Sequence, residues 1–287
     1  MSEHYRTTVD PDAPNNPHSF AIAMVGSGNR VLELGCSVGH VTEHLVARGN
    51  EVVGVEIDAA AADEARRHAA RVHVLDLDLL AVSSIEPGPF DVVLLGDVIE
   101  HMRDPAPVLR DLAGVLAPDG RFVISVPHVG HIDVRLMLLQ GRWDYQQDGL
   151  LDRTHLRWFT RESLRALLAE VGFVATRVER VVFGLGASQL PIDADAVGPD
   201  VVRFVESDPE AYTYQFVVEA RRAGHGEPDA LEGGPVEWPR IGDEVAALRQ
   251  ENEALRNEVA AWHRSRLVRY TAPLRAARAK LAGRRAS

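Results

Sequence analysis

Apolar residues fall in short, nearly unbroken runs: Val31 to Leu34, Val52 to Val55, Val72 to Leu75, Phe90 to Leu95, and a further run near 121–126. Strands with one wet face alternate, so unbroken runs predict strands covered on both faces, as in a parallel sheet. Amphipathic stretches near 39–48, 59–69 and 105–116 separate the runs, and Ser19 to Ser27 predicts a short helix before a first strand beginning near Arg30. Beyond them, 161–171 reads as an amphipathic helix closed by Gly172. Strands near 173–183 and 212–221 follow, separated by a polar loop rich in Asp and Pro. Alternation of this kind predicts an α/β fold with a doubly wound, mostly parallel sheet of seven strands. Such sheets bind ligands at the carboxyl ends of their strands, where Glu33, Glu56, Asp76 and Asp97 fall.

The first strand breaks into Gly35-Cys36-Ser37-Val38-Gly39 and then a helix. Gly35 and Gly39 supply positive φ and close backbone approach, as nucleotide-cofactor turns require. A dinucleotide turn needs G-x-G-x-x-G. Here Glu33 occupies the first glycine position, where it repels phosphate and suits a ligand with an ammonium group, such as S-adenosylmethionine. Glu33-x-Gly35-x-x-x-Gly39 resembles the first motif of the class I S-adenosylmethionine-dependent methyltransferases, a Rossmann-like family, over residues 20–222. The resemblance implies a cofactor site of Glu33, Gly35, Cys36, Ser37, Gly39, Glu56, Ile57, Asp76, Leu77 and Asp97. In it Glu56 takes the ribose hydroxyls, Asp76 takes the adenine amino group and the Leu77 N–H meets the ring. Asp78 is a rival to Asp76 one pleat further on.

The fourth strand runs into Asp97-Val98-Ile99-Glu100-His101. A helical turn there puts Asp97, Glu100 and His101 on one face, a divalent-metal half-site that His155 would complete. These residues resemble the small-RNA 2′-O-methyltransferases, which hold Mg²⁺ against a terminal ribose; Asp97 stands where that family has glutamate. Alternatively, Glu100 and Asp104 complement a helix N-terminus while His101 and His155 make structural hydrogen bonds, or either histidine serves as general base.

Residues 128–160 form the expected substrate cap, with Trp143, Tyr145, Asp152 and Arg153 offering rings and planar polar groups to a sugar. The stretch through Leu151-Asp152-Arg153-Thr154-His155-Leu156-Arg157 resembles a bacterial methyltransferase branch met alongside glycosyltransferases. That branch usually has asparagine where this chain has His128, a further candidate base. The resulting expectation is O-methylation of a sugar hydroxyl on a surface polysaccharide or glycosylated metabolite. The alternatives are a quinone or other small aromatic hydroxyl, or a non-catalytic methyltransferase-like adaptor.

The 287-residue chain, 46% hydrophobic with one cysteine, holds one large domain plus an appendage. Cys36 has no partner for an internal disulfide and reads as a small packing residue. No run is long enough for a membrane span and the N-terminus lacks a signal peptide's apolar core, so a cytoplasmic protein is expected. Its net charge of −11 disfavours nucleic acid. Residues 1–18, polar and rich in Pro and Asn, are expected to fold over the cofactor as a lid, completing a methyltransferase domain of residues 1–222. A Gly/Pro-rich linker follows over 223–238. Ile241, Val245, Leu248, Asn252, Leu255, Val259 and Trp262 then mark a coiled coil over 239–263 that predicts a homodimer. Residues 264–287 carry eight bases and no acid, a tail suited to the inner membrane surface or an acidic protein.

Overall fold

The computed structural model describes residues 9–224 and 228–232. The expected coiled coil and basic tail lie outside the described residues. Among the described residues no helix is long and apolar enough to cross a membrane.

The elements in order are α1 (Pro17–Val25), β1 (Arg30–Leu34), α2 (His40–Ala47), β2 (Glu51–Glu56), α3 (Ala59–Ala65), β3 (Arg71–Val74), β4 (Phe90–Gly96), α4 (Pro105–Val115), β5 (Leu116–Pro127), α5 (Ile132–Leu139), α6 (Arg161–Glu170), β6 (Phe173–Val182), α7 (Pro199–Glu206) and β7 (Thr213–Arg222). They build one seven-stranded sheet of order β3-β2-β1-β4-β5-β7-β6. The first five strands pair in parallel, and β7 runs antiparallel to both β5 and β6.

Successive residues of each run serve opposite faces, which is why the runs are unbroken. Leu32, Val53, Phe122 and Ile124 pack toward Leu109 and Leu112 of α4 and Leu164 of α6. Val31, Val52, Val92 and Val123 pack toward Ile22 and Val25 of α1 and Leu45 of α2. Both clusters are buried, as a doubly wound sheet demands.

Several boundaries differ from those the pattern predicts. Helix α1 starts at Pro17, two residues before the expected Ser19, because the Asn16 side chain accepts from His18 N and Ser19 N and so caps an earlier turn. Helix α3 stops at Ala65 where a helix to 69 was expected, and β5 starts at Leu116, well ahead of 121. The loop expected between β6 and β7 contains α7. Pro199 opens it, and Val205 packs with Ile132 and Leu136 of α5, a helix inside the cap that the pattern also missed. In the same region Asp133 of α5 accepts from Gly186 N (2.8 Å), Ser188 N (3.2 Å) and Ser188 Oγ (2.5 Å), tying the cap to the loop after β6.

Of the expected lid, residues 9–18 are described. Asn15 pairs with both backbone groups of Val182 at 2.8 and 2.9 Å, and Val9, Pro17 and His18 line a cavity at the carboxyl ends of the strands.

Candidate active site

A cavity of about 1460 Å³ runs along the carboxyl ends of β1 to β4 and on to the cap. Its first half is built on the glycine turn. Gly35 (φ 66°) follows β1, and its N–H donates to the Val55 carbonyl at 2.8 Å. A Cβ there would lie 2.7 Å from Val98 Cγ2, so glycine is required for space as well as for φ. Gly39 (φ 90°) caps α2 without lining the cavity; its part in the expected cofactor site is to turn the chain. Cys36 is buried with its Sγ 2.7 Å from where a Gly54 Cβ would stand. Burial pushes the thiol pKa up, as befits a packing residue.

Glu33 is 4% exposed and accepts the Thr42 hydroxyl at 2.6 Å. Burial raises its pKa to about 7 against that hydrogen bond, so the pocket holds a carboxylate in want of a cation. Glu56 accepts Ser37 N at 2.8 Å, Ile57 N at 2.8 Å and Asp58 N at 2.9 Å, which fixes its plane at the end of β2. Asp76 and Asp78 both line the cavity. Among the described residues the Asp76 side chain takes only the Asp78 N–H (2.9 Å), whereas Asp78 is engaged by Arg103 N at 3.1 Å. Ile57, Leu77 and Asp97 line it as well.

The second half centres on Glu100, His101 and His155, whose ligand atoms all lie within 4.8 Å of one another. The turn Ile99–His101 is a 3₁₀ helix, and its Glu100 carbonyl accepts Leu156 N (2.8 Å) and Arg157 N (2.9 Å), docking the His155 segment against it. The rings of His101 and His155 meet edge to face at 4.9 Å. His101 Nδ1 lies 3.3 Å from the Thr154 carbonyl and 3.2 Å from Thr154 Oγ1, whose own proton goes to Asp152 Oδ1 at 2.6 Å; with both Thr154 oxygens accepting, Nδ1 is the donor and Nε2 keeps the lone pair. The His155 pKa is lowered, first by burial and then by His101, which favours neutral imidazole. Glu100 is 1% exposed, and neither carboxylate oxygen has a hydrogen-bond partner among the described residues. Burial, then Asp97, holds its pKa well above the usual carboxylate range. A buried carboxylate without donors beside two imidazoles fits a divalent cation.

Four expectations are corrected here. Asp97 falls outside the Glu100, His101 and His155 cluster: it sits at φ 54° with Oδ1 accepting Ser125 Oγ (3.1 Å) and Gln215 Nε2, and it lacks the methylene by which a glutamate would reach further. His128 is not a base at the site. It is buried, does not line the cavity, donates from Nδ1 to the Thr213 carbonyl (3.0 Å) and packs on Phe216; burial lowers its pKa to about 4. Trp143 and Tyr145 do not line the cavity either. They form an edge-to-face group in which Trp143 also meets Trp158. Arg153 turns its Nε onto the Gln146 carbonyl (3.5 Å), leaving Asp152 as the one expected substrate residue in the lining.

Sequence reasoning missed His40, Ser125, Tyr214 and Gln215 in the lining. The readable signal was register: an antiparallel strand from 212 begins at the end where its parallel neighbours finish.

Sheet order, glycine turn and acids at the ends of β1, β2 and β3 together are those of a methyltransferase domain. The chain belongs to the methyltransferase domain family, whose model matches residues 13–178. It is similar to the ubiquinone biosynthesis O-methyltransferase of Neisseria meningitidis serogroup C (strain 053442), 35% identical over 104 residues covering 34% of this chain and 44% of that protein. It is also similar to the protein of the same name from Ralstonia nicotianae, 32% identical over 133 residues, 42% of this chain and 56% of that one. The chain thus spans about half the length of these curated relatives. In fold it resembles the SAM-dependent methyltransferase of Archaeoglobus fulgidus, with a TM-score of 0.52 and 20% identity over 71% of this chain and 94% of that one.

Proposed function

We propose that this methyltransferase acts on oxygen, and that its acceptor is a catechol or hydroquinone-like aromatic hydroxyl, held with the help of a divalent cation such as Mg²⁺. The observation that carries the reading is the buried Glu100 carboxylate without hydrogen-bond partners, beside the Nε2 of His101 and the imidazole of His155. A cation bound there would lower the pKa of a coordinated hydroxyl and grip a vicinal pair. Two further points favour an aromatic acceptor over the sugar expected from the sequence. The rings meant to stack on a sugar, Trp143 and Tyr145, lie outside the cavity lining. The curated relatives carry the name ubiquinone biosynthesis O-methyltransferase.

The chain's own residues divide the work. Glu33 takes the donor's ammonium. Glu56 has used three of about four lone-pair sites on backbone N–H groups and offers what remains to the ribose. Asp76, less engaged than Asp78, receives the adenine amino group. Asp97 has Oδ1 held by Ser125 and Gln215, and its Oδ2 takes the proton that the acceptor hydroxyl loses as oxygen gains the methyl group.

The test is transfer of labelled methyl from S-adenosylmethionine to 4-methylcatechol and to methyl glucoside, with and without Mg²⁺. Cation-dependent methylation of the catechol is expected. Turnover of the glycoside alone overturns the acceptor assignment, and turnover undiminished by chelation overturns the cation.

A further inference from the structure

Nine carboxylates and four imidazoles line the cavity, with no arginine or lysine among the described residues that line it. Arginines do stand nearby, and each is turned onto another group. Arg153 faces the Gln146 carbonyl, Arg157 Nε donates to the Arg103 carbonyl at 2.9 Å, and the Arg103 guanidinium lies 3.9 Å from Asp78. The imbalance reaches the acceptor end. Asp97 and Asp152 both act electrostatically on Glu100 and on His155, which places them around the group that would receive the hydroxyls. Asp152 is fixed there, its Oδ1 accepting Thr154 N (2.7 Å) and Thr154 Oγ1 (2.6 Å). Glu100 itself is the independent sign of a ligand: a buried, unpartnered carboxylate in the wall of the cavity.

We infer that this end of the cavity selects its acceptor by charge. The acceptor is a vicinal dihydroxy compound that is neutral or carries an ammonium group, and one bearing a carboxylate or phosphate beside its hydroxyls is refused. The inference rests on the catechol reading for the geometry of its hydroxyls, not for its charge rule. A divalent cation at Glu100, His101 and His155 adds two positive charges, and the methyl donor adds a sulfonium. Together they do no more than match the three carboxylates of this end, Asp97, Glu100 and Asp152, and so leave no net positive charge to hold an anion. An anionic acceptor meets no arginine fork there, so it loses hydration without gaining a partner. An ammonium substituent finds Asp97 and Asp152 within the same cavity.

The experiment is calorimetric titration of the full chain, loaded with S-adenosylhomocysteine and Mg²⁺, with three probes of like shape: dopamine, 4-methylcatechol and 3,4-dihydroxybenzoate. Dopamine is expected to bind about tenfold or more tighter than dihydroxybenzoate, with 4-methylcatechol between, and the gap should shrink as salt is raised. D152N keeps an oxygen for Thr154 while removing a charge, and it should narrow the ratio by about threefold or more. Dihydroxybenzoate binding as tightly as dopamine, a gap insensitive to salt, or an unaltered ratio in D152N overturns the proposal. The binding order found intact with no methyl transfer to any probe instead overturns the catechol reading and leaves the charge rule standing.

Discussion

The hydroxyl of Thr42 donates to Glu33 Oε2 across 2.6 Å, so helix α2 steadies the carboxylate that β1 presents to the cavity. That one bond does not match what burial costs, since the Glu33 pKa still rises to about 7.

From this follows a pH dependence. The folded-state pKa lies above the unfolded value of about 4.5, so the native state binds the extra proton between these limits and stability falls as pH rises from about 4.5 to 7. A bound ammonium reverses the preference, and donor affinity rises over the upper part of the same window. E33Q is expected to stabilise the donor-free protein above pH 7 by a few kcal/mol at most, read by thermal melting, and to weaken donor binding about tenfold or more, read by calorimetry. Donor affinity flat from about pH 6 to 8 contradicts this.

Glu100 gives a second prediction. Millimolar Mg²⁺ or Mn²⁺ should raise the melting temperature of the wild type by mass action on the folded state. In E100A the cation shift disappears, while the cation-free protein melts no lower, because the buried unpartnered carboxylate has gone. A cation shift surviving in E100A places the ion elsewhere.

Asp97 is tested by D97N. Asparagine tolerates the positive φ of this position and retains an oxygen for Ser125 Oγ. The fold and donor affinity should stand while kcat drops about 100-fold for want of a proton acceptor. Loss of donor affinity with kcat preserved assigns Asp97 to the donor instead.

For His128 the expectation is structural. Its lowered pKa of about 4, against about 6.5 unfolded, means that the unfolded state takes up the proton first, and stability falls as pH drops from about 6.5 toward 4. H128A should cost about 2 kcal/mol in denaturant unfolding through the lost Thr213 bond and the Phe216 packing, with kcat per folded molecule unchanged.

The sheet was legible in the sequence because burial on both faces writes itself as unbroken apolar runs, and the cofactor end because a turn that needs Gly35 leaves a visible glycine. Glu100, His101 and His155 were legible as a set because a short turn and one docked segment bring them together. Asp97 was misplaced because residue spacing assumes an α-helical turn where a 3₁₀ turn formed. His128 and Trp143 are residue types whose spacing says nothing about which way they face: one is sealed beneath β7, and the other belongs to a ring cluster of the cap. Helix α7 was missed because its polar residues match those of the loops around it, while the apolar Val205 is buried by a partner distant in sequence.

The strand β7 enters the sheet between β5 and β6, both made before it. A nascent chain therefore emerges from the ribosome with a gap in its ladder, and with Tyr214 and Gln215, part of the cavity wall, still to come. Until residues 213–222 arrive, the hydrogen-bonding edges of two strands stay open to any passing chain. Truncation upstream of Thr213 should thus yield an aggregating product, not a smaller working enzyme.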